Sequence, residues 1–216
     1  MAGVTTPDPD QRGHAVTVHL VRHGQSTWNV EGRLQGQTPH PGLTDLGRAQ
    51  ARAAGDRLAA LVPTSAPDEV ALWSSDLTRA RQSAELVADR LGLPHSHIRI
   101  DPALREQALG DLEGALTSDL DADPVPPPPG KHLADIRWGG PASESVRDVD
   151  ARIAAYLARA LPTAPAHLIL LTHGDTLRIL HARLTGRSYR DLDWDLPIPN
   201  GAVVTVNSVE PPAHPR

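Results

Sequence analysis

Two histidines are distinguished by the residues that precede and follow them. His23 follows the run VTVHLV and one arginine, His173 follows the run HLILLT, and a glycine comes directly after each histidine. Ligands of open α/β sheets bind at the carboxyl ends of strands, and glycine lets a ligand approach the backbone closely. We therefore expect the two histidines to face each other across one pocket.

Two arginines would add positive charge to this pocket. Arg22 directly precedes His23, and Arg79 lies in the first turn of a helix predicted from about residue 77 to 91. The free N–H groups at a helix amino terminus favour anions, and a guanidinium binds phosphate or carboxylate through paired hydrogen bonds. The positions predict an anion site, with a surface salt bridge as the alternative role for Arg79.

Glu106 is a candidate general acid because it follows a short predicted strand and would lie near two arginines and two histidines. Asp111 and Glu113 are close to it in the sequence and titrate in the same range. Spacing alone therefore leaves open which of the three carboxyl groups would act as the acid.

The composition excludes several kinds of site and partner. The 216 residues include no cysteine, which excludes disulfides, thiolate nucleophiles and cysteine-ligated metals. Metal-ligand spacing of the HxxEH type is also absent, and we expect no metal and no other cofactor. The net charge of −5 argues against a nucleic-acid partner. A polar start and the lack of long apolar runs predict a cytoplasmic protein without membrane contact.

Apolar or β-branched runs alternate with segments of helical periodicity along the chain. Strands are predicted at 16–21, 69–73, 98–100, 167–171 and 202–206, and helices at about 45–61, 77–91, 143–161 and up to 184. This alternation predicts an α/β fold, a single-domain three-layer sandwich whose mostly parallel central sheet has helices on both faces.

The predicted domain has flexible ends. Residues 1–14 have the composition of a disordered N-terminal arm, residues 15–208 would form the folded domain, and residues 209–216 would be a C-terminal tail. Nothing in the sequence decides between a monomer and a homodimer.

A proline-rich insertion at residues 110–141 interrupts the alternation. Its segment DADPVPPPPG cannot form a helix or a central strand. The insertion could be a passive loop, a lid that caps the pocket, or a docking site for a protein partner. Its candidates for substrate contact are Lys131, His132, Arg137 and Trp138.

The order of these motifs resembles the histidine phosphatase superfamily, in its phosphoglycerate-mutase-like branch. The resemblance covers about residues 16–206 and starts with LVRHGQSTWN, which contains the family's RHG signature. It continues through Gln35-Gly36, LTDLG at 43–47, SSDLTRA at 74–80, Leu104-Arg105-Glu106, GDLEG at 110–114, Glu144-Ser145 with Arg152, and Thr172-His173-Gly174.

The resemblance implies a role for each matching residue. His23 would be the nucleophile that forms a phosphohistidine, and Glu106 would protonate the leaving alcohol and then activate water. The phosphoryl oxygens would be held by Arg22, Asn29, Gln35, Gly36, Arg79, His173 and Gly174. The implied activity is a metal-independent phosphomonoesterase that acts on a small phosphorylated metabolite such as a sugar phosphate, a phosphoglycerate or a nucleotide-like compound.

The stretch REQALGDLEG at 105–114 resembles the phosphatases of the family more than its mutases, which carry a Glu-Arg-His-Tyr-Gly-type stretch at the catalytic glutamate. A phosphoglycerate mutase and a protein phosphatase with a proline-rich docking site remain alternatives. A non-catalytic phosphate-binding module is a third, although the complete set of pocket residues argues against it.

Overall fold

The computed structural model describes residues 15–63, 67–120, 127–195 and 197–209. Within these ranges five strands form one sheet: β1 (Val16–Arg22), β2 (Val70–Ser74), β3 (Ile98–Ile100), β4 (His167–Thr172) and β5 (Val203–Val209). The strand order is β3-β2-β4-β1-β5, with β5 antiparallel to β1 and the other neighbours parallel. The predicted mostly parallel sheet is confirmed.

Helices cover both faces of the sheet. They are α1 (Thr27–Glu31), α2 (Asp45–Ala59), α3 (Thr78–Leu91), α4 (Val146–Ala160) and α5 (Gly174–Leu184). One apolar cluster joins α4 and α5 to alternate residues of β1 and β4, and a second joins α2 and α3 to the residues between them. Because successive strand residues point to opposite faces, each central strand contributes to both clusters. The single-domain three-layer sandwich is therefore confirmed.

Polar caps fix where the helices begin. The Thr44 hydroxyl accepts a hydrogen bond from the Gly47 N–H at the start of α2, as its position in the sequence predicted. A reciprocal pair of bonds between Ser26 and Asn29 starts α1, and a second such capping box starts α4 at Ser145. The short helix α1 was not predicted, because its five residues give too little periodicity to detect.

Strand order brings three chain segments to one edge of the sheet. Strands β2, β4 and β1 are consecutive neighbours, and their carboxyl ends lead directly to Ser75, His173 and His23. Arg22 is aligned with Thr172 across the β1–β4 pair, and the His23 N–H donates to the Thr172 carbonyl over 3.0 Å. The predicted meeting of the two histidine–glycine pairs is therefore a consequence of parallel pairing in register.

The two ends of the predicted domain are described only in part. The N-terminal arm and residues 210–216 of the tail lie outside the described residues, but β5 extends to Val209, one residue into the predicted tail, because Val209 pairs with Val16. The start of the insertion is tied to the domain, since the Gly114 N–H donates to the Leu34 carbonyl over 2.8 Å. Residues 121–126 of the proline-rich run lie outside the described residues.

Across the ranges that are described, no helix has the length and apolarity that a membrane span needs.

The environment of His19 on β1 leads to a prediction of how the free energy of unfolding changes with pH. Its side chain is buried, with Nε2 3.1 Å from Nδ1 of His167 and Nδ1 3.0 Å from the Thr205 hydroxyl. Burial, followed by the neighbouring His167, lowers the pKa of His19 from 6.5 to about 4. The unfolded chain therefore binds more protons between these two values, and the free energy of unfolding falls as the pH falls through this window.

We expect His19→Gln to remove most of this acid sensitivity. Urea titrations at about pH 7 and about pH 4.5 would show the free energy of unfolding falling less in the variant than in wild type, by at most roughly 3 kcal/mol. His95→Gln is the control, because His95 is exposed and paired with Asp89. An equal fall in wild type and His19→Gln would contradict the assignment.

Candidate active site

His23 lies at the centre of the site and is only 3% exposed. Its Nδ1 is 2.7 Å from the carbonyl oxygen of Gly24. A carbonyl oxygen only accepts hydrogen bonds, so Nδ1 must carry the proton. The other ring nitrogen, Nε2, therefore has a free lone pair in the neutral imidazole.

Backbone carbonyls hold the guanidinium groups of the two predicted arginines. Arg79, which is 1% exposed, donates to the Gly36 carbonyl over 2.8 Å and to the Thr38 carbonyl over 3.0 Å. Arg22 donates to the carbonyl of Ile198. The Nε atoms of both arginines are buried and find no hydrogen-bond acceptor in the described part of the chain. A buried donor without a partner is costly, so these N–H groups favour an incoming anion.

His173 completes the central group. Its ring centroid is 5.1 Å from that of His23, in an edge-to-face arrangement. Nε2 of His173 is 2.9 Å from the Ser75 hydroxyl, whereas its Nδ1 is buried without a partner among the described residues. If Ser75 donates to Nε2, the proton of the neutral ring lies on Nδ1 and can be donated to a bound oxyanion.

The electrostatics of the pocket keep both histidines neutral. Burial first, and then the positive charge of Arg79, hold the pKa of His23 well below 6.5, and the same two causes act on His173. Burial also lowers the pKa of Arg79 to about 10, which leaves its guanidinium charged at neutral pH. The pocket thus combines a fixed positive charge with a neutral histidine, the form of imidazole that can act as a nucleophile.

Close backbone contact explains two glycines of the early motifs. A Cβ atom on Gly24 would lie 2.0 Å from the Gly47 carbonyl oxygen, so the loop after β1 and the start of α2 touch through their backbones. Gly36 has a φ of +46°, and a Cβ there would lie 2.2 Å from Oε1 of Glu113. Larger residues at these positions would displace the loops that carry His23 and the partners of Arg79.

Glu106 lies at the amino terminus of α5. Its Oε1 accepts hydrogen bonds from the N–H and the hydroxyl of Thr176, each over 3.1 Å, and its Oε2 accepts from the Asp175 N–H over 3.3 Å. The helix start therefore holds the predicted acid beside His173, which caps the same helix. The structure separates it from Glu113, whose carboxylate accepts hydrogen bonds from the loop at residues 37–38.

Asn29 and Gln35, two further predicted phosphate contacts, are turned partly toward the protein. The side-chain oxygen of Asn29 accepts from Ser26, which leaves its Nδ2 donor without an acceptor among the described residues. Gln35 accepts from the Ser26 hydroxyl over 2.8 Å. Gly174 is the first residue of α5, where a Cβ would lie 3.5 Å from Cζ of Arg22.

Sequence reasoning missed several residues of the site. Asn200 donates to the His23 carbonyl over 3.2 Å and to the Asn29 side-chain oxygen over 3.3 Å, and the loop before it supplies the Ile198 carbonyl. Ser83 links the Gly24 N–H to the Arg79 carbonyl. Asn200 follows a strand-free segment without any motif, so no local signal marked it.

The insertion's candidates are engaged in local contacts. Arg137 pairs with Asp148 over 2.7 Å, and Nδ1 of His132 accepts from the Ala134 N–H over 3.1 Å. Trp138 is 46% exposed. No described contact connects these residues or Lys131 to the pocket, and their part in substrate recognition stays a prediction.

Comparison with known proteins agrees with this geometry. The family model of the histidine phosphatase superfamily, branch 1, matches residues 18–210. The chain belongs to this superfamily. Its expected fold and its expected nature as a phosphatase-type enzyme are thereby confirmed.

Relatives with two different activities are similar to this chain. A glucosyl-3-phosphoglycerate phosphatase of Mycobacterium tuberculosis is 35% identical over 177 residues, which are 76% of this chain and 73% of that protein. A 2,3-bisphosphoglycerate-dependent phosphoglycerate mutase of Brucella ovis is 34% identical over 189 residues, 79% of this chain and 82% of that protein. A solved structure of a mycobacterial glucosyl-3-phosphoglycerate phosphatase with VO3 superposes with a TM-score of 0.69 at 31% identity, covering 88% of this chain and 90% of that one.

Acidic and histidine side chains are not gathered for metal binding in the described ranges of this histidine phosphatase. No group of three or more His, Cys, Asp or Glu side chains there is arranged to hold an ion. The polar groups around His23 are instead the donors of arginine, histidine and asparagine, which suit an anion.

Asp175 gives the site a carboxyl group that titrates near neutral pH. Burial, followed by the negative charge of Glu106, raises the pKa of Asp175 to about 7. Below that pH the carboxyl group of Asp175 is protonated and adds no negative charge beside Arg22. As the pH rises through about 7, the ionised carboxylate opposes the binding of a phosphate dianion.

We expect Asp175→Asn to lessen the fall of kcat/KM on the alkaline side. Profiles of wild type and variant from about pH 5.5 to 9, measured with one substrate, share the ionisation of that substrate, so their ratio isolates the contribution of Asp175. The variant should gain relative to wild type above about pH 7. A ratio that stays constant with pH would contradict this role.

Proposed function

We propose that this histidine phosphatase hydrolyses small phosphate monoesters through a phosphohistidine formed on Nε2 of His23. The observation that carries the proposal is the set of unpartnered buried donors, on Arg22, Arg79 and His173, around a neutral histidine with a free Nε2. Phosphoryl transfer requires positioned donors that stabilise charge on the phosphoryl oxygens.

The first step forms the covalent intermediate. Arg22, Arg79, His173 and Nδ2 of Asn29 bind the oxygens of the phosphoryl group. The Nε2 lone pair of His23 attacks phosphorus, the bond from phosphorus to the ester oxygen breaks, and that oxygen takes the electron pair. Glu106 in its protonated form gives the leaving oxygen a proton, so that a neutral alcohol departs.

The second step returns the enzyme to its starting state. The Glu106 carboxylate accepts a proton from a water molecule, whose oxygen attacks phosphorus. The bond from phosphorus to Nε2 breaks, and its electron pair stays on the imidazole. Inorganic phosphate leaves, His23 is neutral again, and Glu106 has regained its proton.

Similar proteins support a sugar phosphate or phosphoglycerate derivative as the substrate class. Among the relatives, the mycobacterial protein is a glucosyl-3-phosphoglycerate phosphatase, and its structure has been solved with VO3, a phosphate-like oxyanion. A small-molecule substrate handled in the cytoplasm by a monomer or homodimer fits this class. The Brucella relatives keep phosphoglycerate mutase activity as the second candidate.

The nucleophile is tested by trapping. His23→Ala should abolish phosphate release from a panel of sugar phosphates and phosphoglycerates, and should leave no acid-labile phosphate on the protein after rapid quenching. With 2,4-dinitrophenyl phosphate, whose leaving group needs no proton, Glu106→Gln should slow only hydrolysis of the intermediate and let the phosphoenzyme accumulate. His97→Ala is the matched control, because His97 is exposed at the opposite end of β3 from the site. Full turnover by His23→Ala would overturn the assignment.

Phosphatase and mutase are separated by the fate of the phosphoryl group. With 3-phosphoglycerate or a glucosylated phosphoglycerate, we expect stoichiometric release of inorganic phosphate without isomerisation. Phosphorus NMR distinguishes the products, and traces of 2,3-bisphosphoglycerate supply the primer that a mutase would need. Isomerisation faster than phosphate release would favour the mutase.

A further inference from the structure

Glu144 and Arg152 form a bidentate ion pair outside the phosphate pocket. Nε and one terminal nitrogen of Arg152 each donate to a different Glu144 oxygen, both over 2.9 Å. The two side chains are 20% and 18% exposed, so solvent screens the pair only in part. Neither residue has a described contact with His23, Arg22 or Arg79.

The pair holds the backbone on both sides of Glu106. Arg152 donates to the carbonyls of Ala103 over 2.7 Å and Arg105 over 3.0 Å, and Glu144 accepts from the Ala108 N–H over 3.0 Å. Arg152 also donates to the Glu106 carbonyl over 3.4 Å, so this two-residue clamp contacts four backbone groups within residues 103–108. The side chain of Glu106, in contrast, is held by the start of α5.

Gln37 links this clamp to the neighbouring loop. Its side-chain nitrogen lies 3.1 Å from the Glu106 carbonyl and 3.2 Å from a Glu144 oxygen. A displacement of Glu144 would therefore shift the backbone of Glu106 through two sets of contacts, those of Arg152 and those of Gln37.

Glu113 makes a corresponding set of contacts on the side of the site that holds Arg79. It accepts from the Gln37 N–H over 2.9 Å and from the Thr38 hydroxyl over 2.8 Å, and also from the Leu109 N–H over 3.1 Å. The carbonyls of Gly36 and Thr38, in the same loop, are the partners of Arg79. Glu113 therefore shapes the loop that orients Arg79.

We propose that two carboxylates outside the pocket position its two halves separately. Glu144, with Arg152, positions the general acid Glu106, and Glu113 positions the phosphate-binding Arg79. The inference rests on the proposed function, because it assigns positioning residues to the acid and to the phosphate cradle of that reaction. Misplacement of a catalytic group by about 1 Å can cost on the order of 100-fold in rate.

Dependence on the leaving group separates the two roles. An alkyl phosphate needs a proton on its departing oxygen, whereas 2,4-dinitrophenyl phosphate leaves without one, and kcat/KM reports the step that forms the phosphoenzyme. For Glu144→Gln and Arg152→Lys we expect kcat/KM to fall about 10- to 100-fold with the alkyl ester and less than about threefold with the dinitrophenyl ester. For Glu113→Gln we expect both values to fall by a similar factor.

Vanadate inhibition gives a readout that does not involve the acid. Vanadate imitates the transferring phosphoryl group, so its inhibition constant reports the donors of Arg22 and Arg79. The constant should stay within about twofold of wild type in Glu144→Gln and Arg152→Lys and should rise about tenfold in Glu113→Gln. Normal vanadate binding also shows that the first two variants fold with an intact pocket.

Glu106→Gln distinguishes failure of this proposal from failure of the proposed function. If Glu106→Gln itself shows no dependence on the leaving group, the role of Glu106 as general acid is wrong. If Glu106→Gln shows the dependence but Glu144→Gln and Arg152→Lys lose both substrates equally, the positioning role of the ion pair is overturned. A normal vanadate constant in Glu113→Gln would overturn the assignment of Glu113.

Discussion

The chemistry of the site depends on arginines that are held without being neutralised. In the described contacts, Arg22 and Arg79 donate to the carbonyls of Ile198, Gly36 and Thr38. A carbonyl satisfies an N–H group but leaves the positive charge in place, whereas a carboxylate at the same distance would cancel it. In the proposed function the remaining charge attracts a phosphate dianion, and burial together with this charge holds the pKa of His23 well below 6.5. The positive charge of the two arginines thus acts on both the substrate anion and the nucleophile of the proposed reaction.

This arrangement destabilises the free protein, and the surrounding structure has to compensate. Each buried N–H without an acceptor costs about 1–3 kcal/mol, and Nε of Arg22 and of Arg79 are two such groups. Two carboxylates whose charges act on these guanidinium groups are hydrogen-bonded elsewhere, since Glu106 accepts from the start of α5 and Glu113 from backbone N–H groups. In the proposed reaction, the oxyanion of the substrate would supply the missing acceptors, and the binding energy would be concentrated on the phosphoryl group common to all monoesters.

The fold could be predicted from the sequence because its signals are local. Predicted and observed strands and helices agree to within three residues at most boundaries, since apolar periodicity, Gly92 and the Thr44 cap act over one or two helical turns. Helix α1 was missed for the same reason, because five residues held by one capping box show no period. The antiparallel placement of β5 beside β1 is not encoded in its alternation and follows from the path of the chain after α5.

The candidate site also has one part that local sequence signals predicted and another that only tertiary contacts set. That Arg22, His23, Arg79 and His173 would lie near one another could be expected from the sequence, because strand ends and helix starts are fixed places for chemistry in a parallel sheet, whereas Glu106 was singled out by the family resemblance. The groups that orient them are mostly backbone carbonyls and N–H groups, which every residue has and which no residue type marks. The identity of Ile198 therefore says nothing about the carbonyl that Arg22 needs, and spacing alone did not separate Glu106 from Asp111 and Glu113. The sequence states which side chains can carry the chemistry, whereas the direction in which each of them points is set by tertiary contacts.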